Sequence, residues 1–226
     1  MLALLLCIAP LLPQAAEPAS SSSVLLVAAE TMQDPRFRQT VVLATRHGRS
    51  RSTIGVIINR RLGVSLDRVF PQAAQAAAHL LHYGGPVATG QIVFLVRGDA
   101  APTGAIAVGE RLYFSSHRGS LLRLLDAPTP PTQLRVFNGF ASWAQHQLES
   151  EIARGDWHVL PLDADALLSA PLEELWPTLW RRATQVMVRA PARLFGLACQ
   201  QECRPEEGMG KALPGFDLRL AQGVPL

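Results

Sequence analysis

Lysine is all but missing from this chain: Lys211 is the only one, so its basic side is carried by arginine. Cysteine is nearly as scarce, with Cys7, Cys199 and Cys203 as the whole set. None lies between Val24 and Ala183, which removes a disulfide framework, a C-x-x-C redox pair and zinc-finger spacing from that stretch. No run of five basic residues occurs, so a net charge of +3 and a pI near 9.1 permit nucleic-acid or membrane contact without arguing for it. The apolar run at residues 2–12 is too short to cross a bilayer. G-x-S-x-G, H-E-x-x-H, G-x-G-x-x-G and the Walker loop are all missing, and with them the usual signs of a hydrolase elbow, a zinc protease or a nucleotide cradle. What remains is a chain of 226 residues, 48% hydrophobic, with ample material for a packed core.

The most informative stretch is residues 138–157, N-G-F-A-S-W-A-Q-H-Q-L-E-S-E-I-A-R-G-D-W. The β-rich run at 133–137 leads into it, and Gly139 marks a bend at the end of that strand. Ser142 followed by Gln145 predicts a capping box that starts a short helix. Ala144, Leu148 and Ile152 recur every four residues and give this helix one apolar stripe. Gly155 suits the left-handed position that ends a helix, and residues 156–161 read as a strand stopped by Pro161.

With Gly139, Phe140, Trp143, the Q-L-E-S-E-I run at 147–152 and Trp157, the stretch resembles the signature of the YqgE/AlgH family of bacterial proteins. Three further stretches agree in order: D-P-R-F at 34–37, G-V-I-I-N-R at 55–60 and Y-G-G-P-V at 83–87. The resemblance covers residues 24–183. It implies a single α+β domain with a curved, mostly antiparallel sheet flanked by helices, and the alternation of β-rich and helical runs points to the same mixed class. Proteins of this family are often labelled transcriptional regulators and linked with alginate control, so the resemblance implies a non-enzymatic regulatory or binding protein. No convincing helix-turn-helix pattern accompanies that label here. The chain departs from the pattern at Arg46, where the family often has an acidic residue, and at Arg61, where it usually has proline. Redox chemistry proposed from cysteines elsewhere in the family finds no cysteine in the matched region.

Outside the signature the expectations are these. Residues 1–23 form a signal-like or dispensable N-terminal segment. Export is one reading, but no Lys or Arg precedes the apolar run, Pro10 and Pro13 interrupt it and no good A-x-A site follows, so a cytoplasmic location is favoured. Residues 24–29 read as a strand, and 40–47 with 53–59 as a hairpin whose basic tip holds Arg46, His47, Arg49 and Arg51. Ser65 is a candidate cap for 66–70, residues 71–79 are helical by propensity, 98–109 reads as a loop, and Ser116 as the cap of a helix over 117–126. Asp163 or Asp165 caps another, and Pro171 and Pro177 suit first-turn positions. Residues 184–226 form a Pro/Gly-rich extension carrying Cys199 and Cys203, where poor order is expected.

No catalytic set, metal site or cofactor motif is predicted. The binding candidates are Asn59, Arg60, Gly84, Gly85, Trp143, Gln147, Glu149 and Glu151. Each has a structural alternative: Asn59 bonding its own loop, Gly84-Gly85 a tight turn, the carboxylates paired with Arg or lying in water. His79 and His82 are spaced to share a metal but have no third ligand nearby. An enzyme, such as a hydrolase, with Asn59, Arg60, Glu149 and Glu151 around one cleft is the competing reading. Convergence of those side chains would favour it, and their dispersal would favour binding. The partner is a protein or small ligand that the residues do not identify.

Overall fold

The run V-L-L-V-A is apolar at every position, as a strand must be when both of its faces are covered. In the computed structural model, which describes residues 23–46, 52–129, 131 and 133–187, this run is β1 (Val24–Ala28). Leu25 and Val27 point to one side and Leu26 and Ala28 to the other, and all four are buried. β2 (Val41–Arg46) and β3 (Thr53–Ile57) form the expected hairpin beside it. Of the basic hairpin tip, Arg46 ends β2, while residues 47–51, 1–22 and 188–226 lie outside the described residues.

The other strands are β4 (Arg61–Ser65), β5 (Leu80–Tyr83), β6 (Val87–Arg97), β7 (Ala105–Gly109), β8 (Leu112–Ser115), β9 (Leu134–Trp143) and β10 (Trp157–Pro161). They build one curved sheet in the order β10-β1-β2-β3-β9-β6-β8-β7, with β4 and β5 attached through β9. Every pairing is antiparallel except that of β5 with β9. Helices α1 (Arg118–Leu125), α2 (Gln147–Ala153), α3 (Ala164–Ser169) and α4 (Leu172–Met187) pack outside it. The result is a single α+β domain with a curled sheet flanked by helices.

α3 and α4 cover one face, on Leu25, Leu43, Val56, Leu95 and Phe137. Leu172, Leu175, Leu179 and Ala183 form the buried stripe of α4, and Trp176 Nε1 donates to the Ala28 carbonyl at 2.9 Å. The opposite face is shared. α1 covers Phe94 and Val136, and α2 covers Leu26, Val42 and Ile57.

Several local expectations give way to longer-range pairing. Gly139 does not end a strand: β9 passes through it at φ 72°, changing neighbours from β5 to β3 on one side. Ser142 is therefore a strand residue and caps nothing, and α2 starts five residues later. Residues 71–79 hold only a 3₁₀ turn (Ala76–Ala78), because alanine propensity alone cannot hold an α-helix without an apolar stripe to bury. Residues 98–104 are loop as expected, but β7 takes up 105–109, its edge satisfied by β8, and β4 follows Asn59 where only a connection was predicted. Ser65 makes no side-chain cap. α1 is capped by His117, not Ser116, with Nδ1 accepting from the Ser120 N–H at 3.1 Å. Pro177 lies inside α4 instead of at its start, since the buried leucine stripe begins at Leu172. Asp163 caps α3 as expected, accepting from Ala166 N–H at 3.0 Å.

Candidate functional site

The end of β9, helix α2, the start of β10 and the turn at residues 32–37 enclose a cleft of about 400 Å³. Helix α2 is short, and its two ends fix it. At its start Gln147 Oε1 accepts from the Ala144 N–H at 3.1 Å, and His146 takes a left-handed φ of 64° to turn the chain out of the strand. At its end Gly155 N–H donates to Ile152 O at 2.9 Å and Asp156 N–H to Glu151 O at 3.0 Å, with Gly155 at φ 82°. These two bonds satisfy carbonyls that a helix terminus leaves open and direct the chain straight into β10.

Glu151 is the centre of the cleft. Its Oε2 accepts from two indoles, Trp143 Nε1 at 2.8 Å and Trp157 Nε1 at 2.9 Å, while Oε1 accepts from Gln147 Nε2 at 3.0 Å. Both tryptophans are buried, and their rings meet edge to face at 6.1 Å. Phe37 completes the cluster, 6.1 Å from Trp143 and 5.5 Å from Trp157. The remaining charges pair locally. Arg36 donates to both oxygens of Asp34 at 2.7 to 3.2 Å, and Arg154 to Asp156 at 2.7 and 3.2 Å. The hydrogen bond from Arg36 holds the Asp34 carboxyl below its ordinary range.

Trp143, Gln147 and Glu151 are thus brought together, and the other candidates are not. Glu149 faces the opposite way, with its carboxylate 3.9 Å from Arg46. Asn59 clamps backbone: its Oδ1 accepts from Val41 N–H and its Nδ2 donates to Gln39 O, each at 2.9 Å. Arg60 donates to the carbonyls of Pro35 and Arg38 at 3.2 and 2.8 Å. Asn59 and Arg60 line a separate cleft of about 470 Å³ against Glu173, Trp176 and Pro177 of α4. Gly84 spends both backbone groups on the sheet, donating to Asn138 O at 2.9 Å and accepting from Ile57 N–H at 2.8 Å. Gly85 lies against the backbone of Phe140. The cleft also uses Asp34, Arg36, Phe37 and Trp157, which were not singled out as site residues. For Asp34, Arg36 and Phe37 the signal was the D-P-R-F motif at 34–37, which nothing local connects to α2, and for Trp157 it was the end of the 138–157 stretch. Among the described residues no three His, Cys, Asp or Glu side chains converge as a metal site.

A second polar cluster lies on the α3 side of β9. Arg135 is largely buried, and its Nη2 donates to Leu168 O at 2.8 Å, while its Nη1 is enclosed with no hydrogen-bond partner. Burial, with the charge of Arg61 adding to it, lowers its pKa to about 10, so it stays charged at neutral pH. Neither arginine has an ion pair among the described residues. Arg135→Met should raise stability by about 1 kcal/mol in urea unfolding, because an apolar side chain of similar reach removes an uncompensated buried charge. A loss of more than about 1 kcal/mol would show that the guanidinium is better satisfied than this geometry implies.

Beside it the His82 ring lies tilted against Phe137, with centroids 5.6 Å apart, and its Nδ1–H donates to Val136 O at 3.2 Å. Burial pushes its pKa below 6.5, and Arg135 and Arg61 push the same way, outweighing the carbonyl. Burial lowers His79 and His158 too. The unfolded chain therefore binds protons more readily at these sites, so stability is full above about pH 6.5 and falls as pH drops below it. Urea midpoints should fall between pH 7.5 and 5.5, and the fall should be smaller in His82→Phe. An unchanged fall in that variant would clear His82.

Together the strands and helices define a single-domain α+β protein with a curled sheet, in which the internally paired cleft lies between a helix and a sheet end. The chain belongs to the AlgH-like family, DUF179, whose model matches residues 25–187. It is 34% identical over 183 residues to a UPF0301 protein of Anaeromyxobacter sp. (strain K), covering 76% of this chain and 91% of the relative. A UPF0301 protein of Myxococcus xanthus is 35% identical over 162 residues, covering 70% of this chain and 87% of the relative. Among solved structures it is similar to the AlgH protein of Pseudomonas aeruginosa, with a TM-score of 0.60 at 26% identity over 80% of this chain and 99% of that one. A crystal structure from Corynebacterium diphtheriae superposes with a TM-score of 0.59 at 26% identity, covering 75% of this chain and 89% of that one.

Proposed function

We propose that this chain is a non-enzymatic binding protein with a regulatory role, and that the cleft beside α2 receives a small ligand. The observation that carries the reading is how the cleft's polar groups are used. Asp34 and Asp156 are each neutralised by an arginine two residues away, and Glu151 is held by three uncharged N–H donors. A general base or nucleophile works by exchanging its proton or bond with substrate, whereas here Asp34 and Asp156 are each taken up by an arginine and three of the acceptor positions of Glu151 hold the cleft walls. The polar residues that an enzyme would have to gather are dispersed over two clefts and an outer helix face, which supports binding over catalysis. A rigid, aromatic-floored cleft of this size suits a small molecule. Regulation would follow if occupancy altered the adjoining surface of α2.

The test is native mass spectrometry of the gently purified full-length chain, followed by thermal-shift screening of a small-molecule library. Binding predicts a retained mass or a saturable rise in melting temperature, about 2.7 kcal/mol of stabilisation at a hundredfold excess over Kd. Turnover of ester, phosphate or glycoside substrates that vanishes in Glu151→Gln would overturn the reading in favour of an enzyme.

A further inference from the structure

We infer that the cleft beside α2 binds a small organic cation, an ammonium or guanidinium group, with Glu151 as its counter-charge. This rests on the cleft being the binding site proposed above and adds the chemistry of the ligand.

The lining holds Asp34, Glu151 and Asp156 against Arg36 and Arg154. Arg36 is spent on Asp34 through three hydrogen bonds, and Arg154 on Asp156 through two. Both pairs are between residues two apart, so they close locally and leave no cation to turn toward Glu151. Its carboxylate has no ion pair among the described residues and is held instead by two indoles and an amide. Those donors orient the group and lessen its desolvation cost, but they carry no net charge, so one full negative charge remains in the cleft.

An ionised carboxylate offers about four acceptor positions. Oε2 uses two of its positions on Trp143 and Trp157, while Oε1 uses one on Gln147. One acceptor position on Oε1 is left, and a cationic N–H donor is the complement to it.

Phe37, Trp143 and Trp157 line the cleft with Glu151, and both indoles turn their N–H edges to its carboxylate. The rings hold the carboxylate in place, and its charge sets the sign of ligand that the cleft favours. An anion would meet an unpaired charge of its own sign, and a neutral ligand would leave that charge unanswered. The volume of about 400 Å³ and the apolar contributions of Met32 and Val87 fit a cation with a short hydrocarbon body.

The experiment uses the indole N–H groups as reporters, because two of the chain's four tryptophans donate to Glu151 and the other two, Trp176 and Trp180, lie on α4. Full-length ¹⁵N-labelled protein is titrated with n-butylammonium, n-butylguanidinium, n-pentanol and pentanoate, which share a body and differ in charge. The cations should shift the Trp143 and Trp157 indole resonances saturably and leave those of Trp180 in place, while pentanol and pentanoate should not. Glu151→Gln should weaken the cation's binding at least tenfold. Ser142→Arg should do the same by setting a cation at the exposed rim, with all three donors to Glu151 retained, so a folding defect in the first variant does not decide the matter. Pentanol or pentanoate shifting the same resonances as strongly as the cations would overturn the cation inference and keep the cleft as a binding site. Silence from all four probes would overturn it as well, and a ligand retained in native mass spectrometry would then leave the broader binding reading standing. Unchanged cation affinity in both variants would remove Glu151 as the counter-charge.

Discussion

Gly85→Ala should cost this protein about 3 kcal/mol or more, enough to leave much of the chain unfolded if its total stability is typical of a domain. A Cβ at Gly85 would lie 2.3 Å from the Phe140 carbonyl carbon and 2.5 Å from the Ala141 nitrogen, and the residue sits at φ 151°. At neighbouring Gly84 the added carbon would come within 2.1 Å of the Gly139 carbonyl oxygen. These obstacles are backbone, so no side chain can swing aside to make room. The crowding has a topological cause. β9 pairs with β5 through Val136 to Asn138 and with β3 through Ala141 to Trp143, and Gly84-Gly85 fills the gap between those two partners. Gly84 O accepts from Ile57 N–H while Gly84 N–H donates to Asn138 O, so the dipeptide joins the two halves of the sheet. Gly63→Ala is the control. Gly63 also has a positive φ, 68°, but nothing lies within 4 Å of its added carbon, so only the backbone term of about 1 kcal/mol should appear. Urea unfolding of the two variants separates the effects, and a Gly85→Ala cost no larger than that of Gly63→Ala would mean the crossing is looser than described.

The same pair of glycines shows how far the sequence could be read. Residues 83–87 were legible as a tight passage between strands, but the partner that makes glycine obligatory lies more than fifty residues away at Gly139 and Phe140. Elements with a strong local signal were readable: the all-apolar β1, the β2–β3 hairpin, the Gly155 helix end and the Asp163 cap. Elements defined by pairing alone were not. β4 is mostly exposed and interrupted by Gly63, so it carries no alternation, and β7 hides among glycine and proline. The capping box at Ser142 and Gln145 was locally sound, yet continuing β9 against β3 satisfied the Ser142 backbone with ladder bonds before any helix could begin. For the cleft, Trp143, Gln147 and Glu151 were readable as a group because they follow one another along the chain. Asp34, Arg36 and Phe37 were not, since only the folded sheet brings residues 32–37 to α2.

Glu151→Ala should cost about 2–4 kcal/mol, the second large effect, although Glu151 is a charged residue on a surface helix. The reason lies in what it leaves behind. Trp143 and Trp157 are 2% and 3% exposed, so their indole N–H groups have little access to water once the carboxylate is gone. A buried donor left without a partner costs about 1–3 kcal/mol, and here there are two, both on one oxygen. Gln147 loses a partner as well, though its exposed amide can turn to solvent. Glu151→Gln should be much milder, about 1 kcal/mol, because its carbonyl oxygen can still accept from both indoles and only the charge-assisted part of those bonds is lost. Glu149→Ala, one turn edge away and facing Arg46 at 3.9 Å, should change stability by less than about 0.5 kcal/mol, as exposed pairs do. Urea unfolding of the three variants gives this order, and the indole N–H resonances of Trp143 and Trp157 should move in both Glu151 variants and stay put in Glu149→Ala. Equal costs for Glu151→Ala and Glu149→Ala would mean that water reaches the indoles, and the carboxylate would then be no fixture of the cleft floor.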